Sequence, residues 1–394
     1  MAVARAREIL GGKVESLEVR VNTNILKNAM NVGIPYTDEK GLLMACAIAM
    51  VKGSSSDKLE VLNNVDEDTL DLAKSIISQN KIKIDVDFDK KFFYIEIDAY
   101  YKNNFSKVIV KENHKNICYE SLNGHVIKNE NDLSDKINLR DEILNFTISD
   151  LINFSRNIDI KALDFIKEGI DINLRLANIG ATQNLGIGMS RVYMSDIGDV
   201  YKKAKALTVS ASEARMSGYP LPVMSSAGSG NHGLVAIVPL AVIGEELGKP
   251  YEEIIRAITL SHLITIYVKA HIGTLNPICG CSVASGVGLS AGLTMLNGGN
   301  DSQIKSSINN TLAGVSGMFC DGAKTGCAYK LSISVTAAIE ASNLAISGVS
   351  IPSDNGILGN SPEKSIENLK SVTSKGMKDV DKEILEIMLS KLYY

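Results

Sequence analysis

The chain has 394 residues, of which 45% are hydrophobic and 22% charged, a composition that excludes a disordered or fibrous protein. At roughly 150 residues per domain, this length predicts two or three domains. The formal net charge of −4 is small and has the wrong sign for a phosphate-binding surface, which argues against nucleic acid as a partner.

The sequence predicts a cytoplasmic protein with reduced thiols and no membrane partner. No stretch reaches the roughly 18 consecutive apolar residues that span a bilayer, and the most apolar run, 234–243, contains Pro239 and stops at Gly244. Arg5 and Arg7 fall where a signal peptide would need its apolar core. Six cysteines are too few for a disulfide scaffold.

The front of the chain combines strand-like and helical segments. Apolar and polar residues alternate with a period of two, which is typical of strands with one buried face, at 17–21, 82–86, 92–97 and 106–110. Helices are predicted over 2–10, 40–52 and 67–79. The predicted fold class is therefore α+β, beginning with a module over residues 1–140 that holds a mostly antiparallel sheet.

The remainder, residues 141–394, is predicted to be a larger, all-helical domain. Apolar residues recur every three or four positions at 148–156, 161–176, 194–217, 250–271, 282–297, 301–318 and 328–347. The later helices are rich in Ala, Ser and Gly, which favours close helix packing. The charged tail from Ser361 onward is predicted to form peripheral helices.

Four of the six cysteines lie within 49 residues, at Cys279, Cys281, Cys320 and Cys327. Each stands where a glycine-containing loop meets a helix start, and outward-pointing N–H groups favour a thiolate there. The C-x-C and C-x6-C spacings fit neither paired zinc knuckles nor the dense ferredoxin run. Taken alone, they leave a metal site, inert packed thiols and redox-active thiols all open. The other two cysteines, Cys46 and Cys118, are predicted to be core residues.

Two further segments stand out. The loop GSGNHG, residues 228–233, precedes a buried helix, and backbone donors at such a helix start can bind a carboxylate or phosphate. It matches neither a P-loop nor a dinucleotide fingerprint. Lys269 and His271 lead directly into the first cysteine loop. For His271, a structural hydrogen bond and a role at the site are equally open.

Three segments together resemble the L-cysteine desulfidase family, which belongs with the α chain of iron–sulfur L-serine dehydratases: GSGNHG, NPICGCSVASGVGLSAG (276–292) and CDGAKTGCAYKLS (320–332). The stretch VRVNTNILKNAMNVGIP (19–35) is similar as well. The resemblance implies an oxygen-sensitive [4Fe–4S] cluster held by three cysteines, with one iron open to the leaving group. It also implies a lyase that cleaves L-cysteine to sulfide, pyruvate and ammonia by β-elimination.

Carried onto this sequence, the resemblance implies Cys320 and Cys327 as two cluster ligands. Cys281 fits the family's Gly-Cys pattern for the third ligand better than Cys279 does. For the substrate carboxylate, the candidates are consecutive residues of the glycine-rich loop, namely Ser229, Gly230, Asn231 and His232.

The candidates for holding charge or moving a proton near the cluster are Lys269, His271 and Lys324. Asp321 is expected to orient one of these cations. All four were chosen because they lie close in sequence to the cysteine loops.

The sequence departs from the family pattern in two places. Members usually begin earlier, with a Gly-Cys-Thr-Glu-Pro motif whose cysteine is thought to take part in catalysis, and we expect this chain to start after it. A glycine-rich turn of the family is replaced by GIPYTDEKG, where Tyr36 and Asp38 stand in place of glycines. Tyr36 at the site and Tyr36 in a surface turn are both open.

Three alternatives accompany the desulfidase interpretation. The same cluster chemistry on L-serine or L-threonine would release hydroxide instead of sulfide. A member without the N-terminal motif would keep the fold and turn nothing over. A zinc-bound structural protein is the third. In each enzyme interpretation the partner is a small amino acid, and the chain is expected to form a homo-oligomer, most simply a dimer.

Overall fold

The structure is a computed structural model that describes residues 1–63, 65–90, 92–130, 141–273 and 275–391. The predicted module boundary at residue 140 falls in the segment 131–140, which lies outside the described residues. The two-module division therefore stays a prediction.

The N-terminal part holds a six-stranded sheet. Its strands are β1 (Ser16–Asn22), β2 (Ile82–Asp87), β3 (Tyr94–Tyr101), β4 (Asn104–Lys111), β5 (Ile117–Leu122) and β6 (His125–Asn129), in the order β2-β1-β3-β4-β5-β6. Within the described part of the chain, the β1–β2 pair alone is parallel. Its connection carries α2 (Thr23–Ala29), α3 (Gly41–Val51) and α4 (Glu67–Ser78), since a parallel pair needs a long crossover. With α1 (Ala2–Ile9) packed on the sheet, this confirms the predicted α+β class and mostly antiparallel sheet.

The rest of the described chain is helical. The helices are α5 (Ile148–Asn157), α6 (Asp164–Thr182), α7 (Met189–Met194), α8 (Val200–Met216), α9 (Gly230–Glu246), α10 (Tyr251–Ile272), α11 (Val287–Leu296), α12 (Asp301–Val315), α13 (Cys327–Ile346), α14 (Pro362–Ser371) and α15 (Val380–Ser390). A π-helical turn, Cys281–Gly286, leads into α11. The helix predicted over 194–217 is present but begins only at Val200, because Asp199 caps its start by accepting a hydrogen bond from the Lys202 N–H at 2.9 Å. Among the described residues, no helix is both long and apolar enough to cross a bilayer.

Small residues bring the helices close together, as the composition predicted. A β-carbon added to Gly288 would lie 2.3 Å from the Ser261 carbonyl oxygen, and one on Gly292 would lie 2.7 Å from that of Ala257. Glycine at these two positions therefore lets α11 pack directly against the backbone of α10. Both predicted core cysteines are buried as well, at Cys46 and Cys118.

The C-terminal helix α15 returns to the N-terminal part. Leu385 is fully buried in the same hydrophobic cluster as Leu17 and Ile97 of the sheet. Asp381 pairs with Lys27, which is also fully buried. The tail helix α15 lies at the surface as predicted, and a narrow apolar stripe inside its charged sequence anchors it.

Candidate active site

The two cysteine loops are joined by a short antiparallel bridge. The Cys279 N–H donates to the Met318 carbonyl oxygen at 2.7 Å, and the Cys320 N–H donates to that of Pro277 at 2.7 Å. Cys327 opens α13. This pairing places all four clustered cysteines on the wall of one cavity of about 300 Å³.

The cavity lies between the two parts of the molecule. The helical part contributes the cysteine loops, the 228–232 loop and three cations. The N-terminal part contributes α2 and neighbouring residues, namely Asn24, Ile25, Asn28, Val32 and His114. The site is therefore closed by residues that are far apart in sequence.

Electrostatic coupling joins the cysteine side chains. A hydrogen bond from the Cys281 thiol, together with the nearby Lys330 charge, lowers the pKa of Cys279 to about 6 although burial opposes ionisation. Cys281 keeps its proton, with a pKa raised well above its usual value by that hydrogen bond and by burial. Burial raises the pKa of Cys327 as well. Cys279 is thus the more readily ionised thiol of the CGC segment, whereas the sequence pattern favours Cys281 as a ligand.

The donor set suits a cluster better than a single ion. Among the described residues, no three His, Cys, Asp or Glu side chains converge as one bound metal ion requires. A [4Fe–4S] cluster takes each thiolate on a separate iron, so its ligands stand farther apart. Four soft sulfur donors around one cavity fit iron–sulfur chemistry.

The glycine-rich loop reaches the same cavity. Ser229, Asn231 and His232 line it, and Gly230 is the first residue of α9. A β-carbon on Gly280 would lie 2.4 Å from His232 Nε2. The glycine between the two cysteines therefore leaves room for the imidazole, which brings the predicted substrate loop against the predicted ligand loop.

The two candidate residues on α10 point to different sides of the helix, and only Lys269 lines the cavity. Lys269 is buried and lines the cavity. His271 comes two residues later, about 200° around the helix, and it is not among the lining residues. Its ring packs against Tyr267 with centroids 4.8 Å apart, and burial and the charge of Lys370 lower its pKa. The structure does not bring His271 to the site.

Lys324 also points away. Its ammonium binds Asp321 at 2.6 Å, but it lies in a neighbouring groove and does not line the cavity. The cavity-lining partner of Asp321 is Lys330, which also donates to the Phe319 carbonyl oxygen at 2.7 Å. Burial disfavours ionisation of Asp321, yet the hydrogen bonds from both lysines outweigh it and lower its pKa to about 2. Tyr36 is exposed and absent from the lining residues, as the surface-turn interpretation expects.

Sequence reasoning missed several lining residues, above all Arg215, Lys330, Asn24 and His114. Arg215 lies near the end of α8, whose sequence carries three lysines as well, so one more cation gives no signal for a role in a cavity. Asn24 lies inside the resembling stretch 19–35, which supplied no role for it. His114 sits in a polar turn after β4 and gives no signal.

A cavity lined by four cysteines, a glycine-rich loop and several basic side chains holds the donor groups that a metal centre or cofactor would need. The chain belongs to the serine dehydratase alpha chain family, which it matches over residues 56–386. Members of that family are generally iron–sulfur enzymes and typically lyases.

Curated relatives cover nearly the whole chain. A UPF0597 protein of Caldanaerobacter subterraneus is 54% identical over 392 residues, which are 99% of this chain and 93% of the relative. One from Clostridium tetani is 50% identical over 391 residues, 99% of this chain and 92% of the relative. One from Clostridioides difficile is 37% identical over 402 residues, 98% of this chain and 93% of the relative. None of these names states an activity.

Proposed function

We propose that the protein is an iron–sulfur L-cysteine desulfidase, which cleaves L-cysteine to sulfide, pyruvate and ammonia. The observation that carries the proposal is the convergence of four cysteines, the Ser229–His232 loop and cationic side chains on one cavity. Family membership supports the same class of chemistry.

The residues proposed to hold a [4Fe–4S] cluster are Cys281, Cys320 and Cys327, with Cys279 as the competing choice for the CGC ligand. When bound, such a cluster supplies a Lewis-acidic iron for the departing sulfur. The Lys330 ammonium is attracted to the charges of Cys279 and Cys320, and its pairing with Asp321 fixes it beside them. The chain thereby provides positive charge where thiolates must be stabilised.

The chain's own residues then bind the substrate and move its proton. The loop at the start of α9 orients the substrate, and Lys269 takes the proton from Cα, a role in which a positioned base is worth about 10²–10⁴-fold. As the Cα–H and Cβ–S bonds break, sulfide leaves and aminoacrylate remains. Its tautomer, an imine, reacts with water to give pyruvate and ammonia, so atoms balance without an external oxidant.

The family description favours one competing substrate, L-serine. The elimination is the same except that hydroxide leaves, and L-threonine would react likewise. Iron binds soft sulfur well, which supports cysteine. Following the sequence, we place the enzyme in the cytoplasm as a homodimer that acts on a free amino acid.

The test is anaerobic reconstitution of the purified chain with iron and sulfide. We expect a brown protein with about four irons per chain, bleached by air, that releases sulfide and pyruvate from L-cysteine faster than pyruvate from L-serine. Faster pyruvate release from L-serine would make it a dehydratase. A colourless protein that takes up zinc stoichiometrically would contradict both.

A further inference from the structure

Arg215 is a cation in the cavity without a carboxylate partner. Its Nη1 donates to Asn231 Oδ1 at 3.2 Å and contacts Met216 Sδ at 3.9 Å. Among the described residues, no ion pair involves Arg215, and neither Nε nor Nη2 has a hydrogen-bond partner. A guanidinium has five N–H donors, so this arrangement leaves most of them available to a ligand in the cavity.

The surroundings hold the guanidinium in place. A β-carbon on Gly230 would lie 2.4 Å from Arg215 Nε, so the side chain packs directly over the start of α9. Burial lowers the pKa of Arg215, and the neighbouring Cys281 and Cys327 partly offset this. A partly buried cation of this kind costs free energy unless an anion compensates it.

Asn24 of α2 offers the cavity a hydrogen-bond acceptor, whereas Arg215 offers donors. Its Nδ2 donates to Asp381 Oδ2 at 2.8 Å, and a carboxylate accepts only from an N–H, which fixes the amide orientation. Its Oδ1 is buried and has no hydrogen-bond partner among the described residues. Asn24 lines the cavity, so its Oδ1 is available to accept a hydrogen bond from a ligand.

We infer that Arg215 and Asn24 form a clamp for an α-amino acid, in which Arg215 binds the α-carboxylate and Asn24 Oδ1 accepts from the α-ammonium. The inference rests on the proposed function and names which residues select its substrate class. In this arrangement the Asn231 amide, a sequence candidate for binding the carboxylate, orients Arg215 instead of contacting the substrate.

The other two lining cations are less suited to the carboxylate. Lys330 is committed to Asp321 and the Phe319 carbonyl, and Lys269, as the proposed base, must be uncharged to take the Cα proton. A planar guanidinium matches a carboxylate with two parallel hydrogen bonds. The clamp would thus fix the direction of Cα, leaving Cβ and its sulfur toward the cysteines.

The experiment measures binding of three thiols to the anaerobically reconstituted protein by calorimetry. The first, α-methyl-L-cysteine, has no Cα–H and cannot undergo elimination. Cysteamine lacks the carboxylate, and 3-mercaptopropionate lacks the amine. The variants are Arg215→Met, Arg215→Lys and Asn24→Leu, and Arg175→Met on the exposed face of α6 is the matched control.

We expect Arg215→Met to weaken α-methyl-L-cysteine and 3-mercaptopropionate by about 10- to 100-fold and to leave cysteamine unchanged, as the loss of a charge-assisted hydrogen bond predicts. Asn24→Leu should weaken α-methyl-L-cysteine and cysteamine by about tenfold and leave 3-mercaptopropionate unchanged. Arg175→Met should bind all three like the wild type.

Other results would overturn the clamp. Equal weakening of all three thiols by Arg215→Met would assign Arg215 to charge balance around the cysteines. If that variant fails to fold or to hold iron, Arg215→Lys decides, because lysine keeps the charge but cannot make the two parallel hydrogen bonds of a guanidinium. If Arg215→Lys still selected carboxylate ligands as well as the wild type does, the inference would be contradicted. Failure of the wild type to bind any thiol would instead contradict the proposed function.

Discussion

The two walls of the cavity are built on different principles. The helical wall carries its chemistry in dense local motifs, with the four cysteines and the glycine-rich loop. The α2 wall carries polar residues without a motif, and tertiary contacts hold them in place. The comparison shows that clustered cysteines and glycines leave a stronger trace in sequence than polar residues that only tertiary contacts bring together.

Lys27 shows how the α2 wall depends on the rest of the molecule. Its Nζ donates to the Cys320 carbonyl oxygen at 2.8 Å and pairs with Asp381 of α15. Asn24 binds the same carboxylate. A β-carbon on Gly322 would lie 2.2 Å from the Lys27 carbonyl oxygen. Lys27 thus connects the α2 wall to the cysteine loop, and Asp381 holds Lys27 and Asn24 in place.

The largest effect should follow from breaking the cysteine wall. Cys320→Ser and Cys327→Ser should abolish cluster assembly, because a hydroxyl is a poor substitute for a soft thiolate ligand. Cys281→Ser should behave likewise and Cys279→Ser should be milder, measured as iron bound per chain and visible absorbance after reconstitution. Cys118→Ser, at a buried strand position outside the cavity, is the control. The reverse ranking within the CGC pair would make Cys279 the ligand, as its lowered pKa would suggest.

Much of the cysteine wall could be predicted from sequence, because its four cysteines stand in short glycine-containing loops that can be recognised locally. The same proximity argument misplaced His271 and Lys324. Two residues along a helix reverse the face, so closeness in sequence to Lys269 says little about direction. For Asp321, two lysines lie within reach, and only packing selects Lys330 as the one inside the cavity.

The sheet was predictable for a related reason. A period of two indicates β1, β2, β3 and β4 locally, whereas β5 and β6 were not predicted from it and the order β2-β1-β3-β4-β5-β6 depends on pairing across the fold. The positions of Arg215 and Asn24 at the cavity likewise depend on contacts across the fold and not on a local pattern. Each is an ordinary residue of its own helix and becomes unusual only where the two parts meet.

Removing the charge of Asp381 should produce the next effect. Asp381→Asn leaves the fully buried Lys27 uncompensated, which should lower the free energy of unfolding by about 3–5 kcal/mol in denaturant titrations. The control is Glu386→Gln, whose partner Lys382 is exposed, with an expected change of less than about 1 kcal/mol. Similar losses in both variants would show that α15 is an appendage and not a support of the α2 wall.

Acid should weaken the helical wall behind the substrate loop. His262 Nδ1 hydrogen bonds with Ser226 Oγ at 2.8 Å, and burial lowers the pKa of His262 to about 4. Below pH ~6.5 the His262 imidazole binds a proton in the unfolded chain, whereas in the folded chain it binds one only below pH ~4. Stability should therefore fall as the pH drops from about 6.5 to 4, by at most about 3 kcal/mol. His262→Asn should remove that part of the slope in unfolding curves measured across this range, and an unchanged slope would contradict the assignment.

The smallest change tests the contact between the ligand loop and the substrate loop. Gly280→Ala places a β-carbon 2.4 Å from His232 Nε2, and relief of such overpacking costs about 1–3 kcal/mol. Because the imidazole must move, we expect weaker α-methyl-L-cysteine binding together with lower stability, both measured on the reconstituted protein. The matched control is Gly314→Ala in α12, where an added β-carbon meets no atom within 4 Å. There alanine should stabilise the protein by about 0.4–1 kcal/mol, because it lowers the conformational entropy of the unfolded chain, with ligand binding unchanged. Unaltered binding in Gly280→Ala would show that the two loops adjoin without acting together.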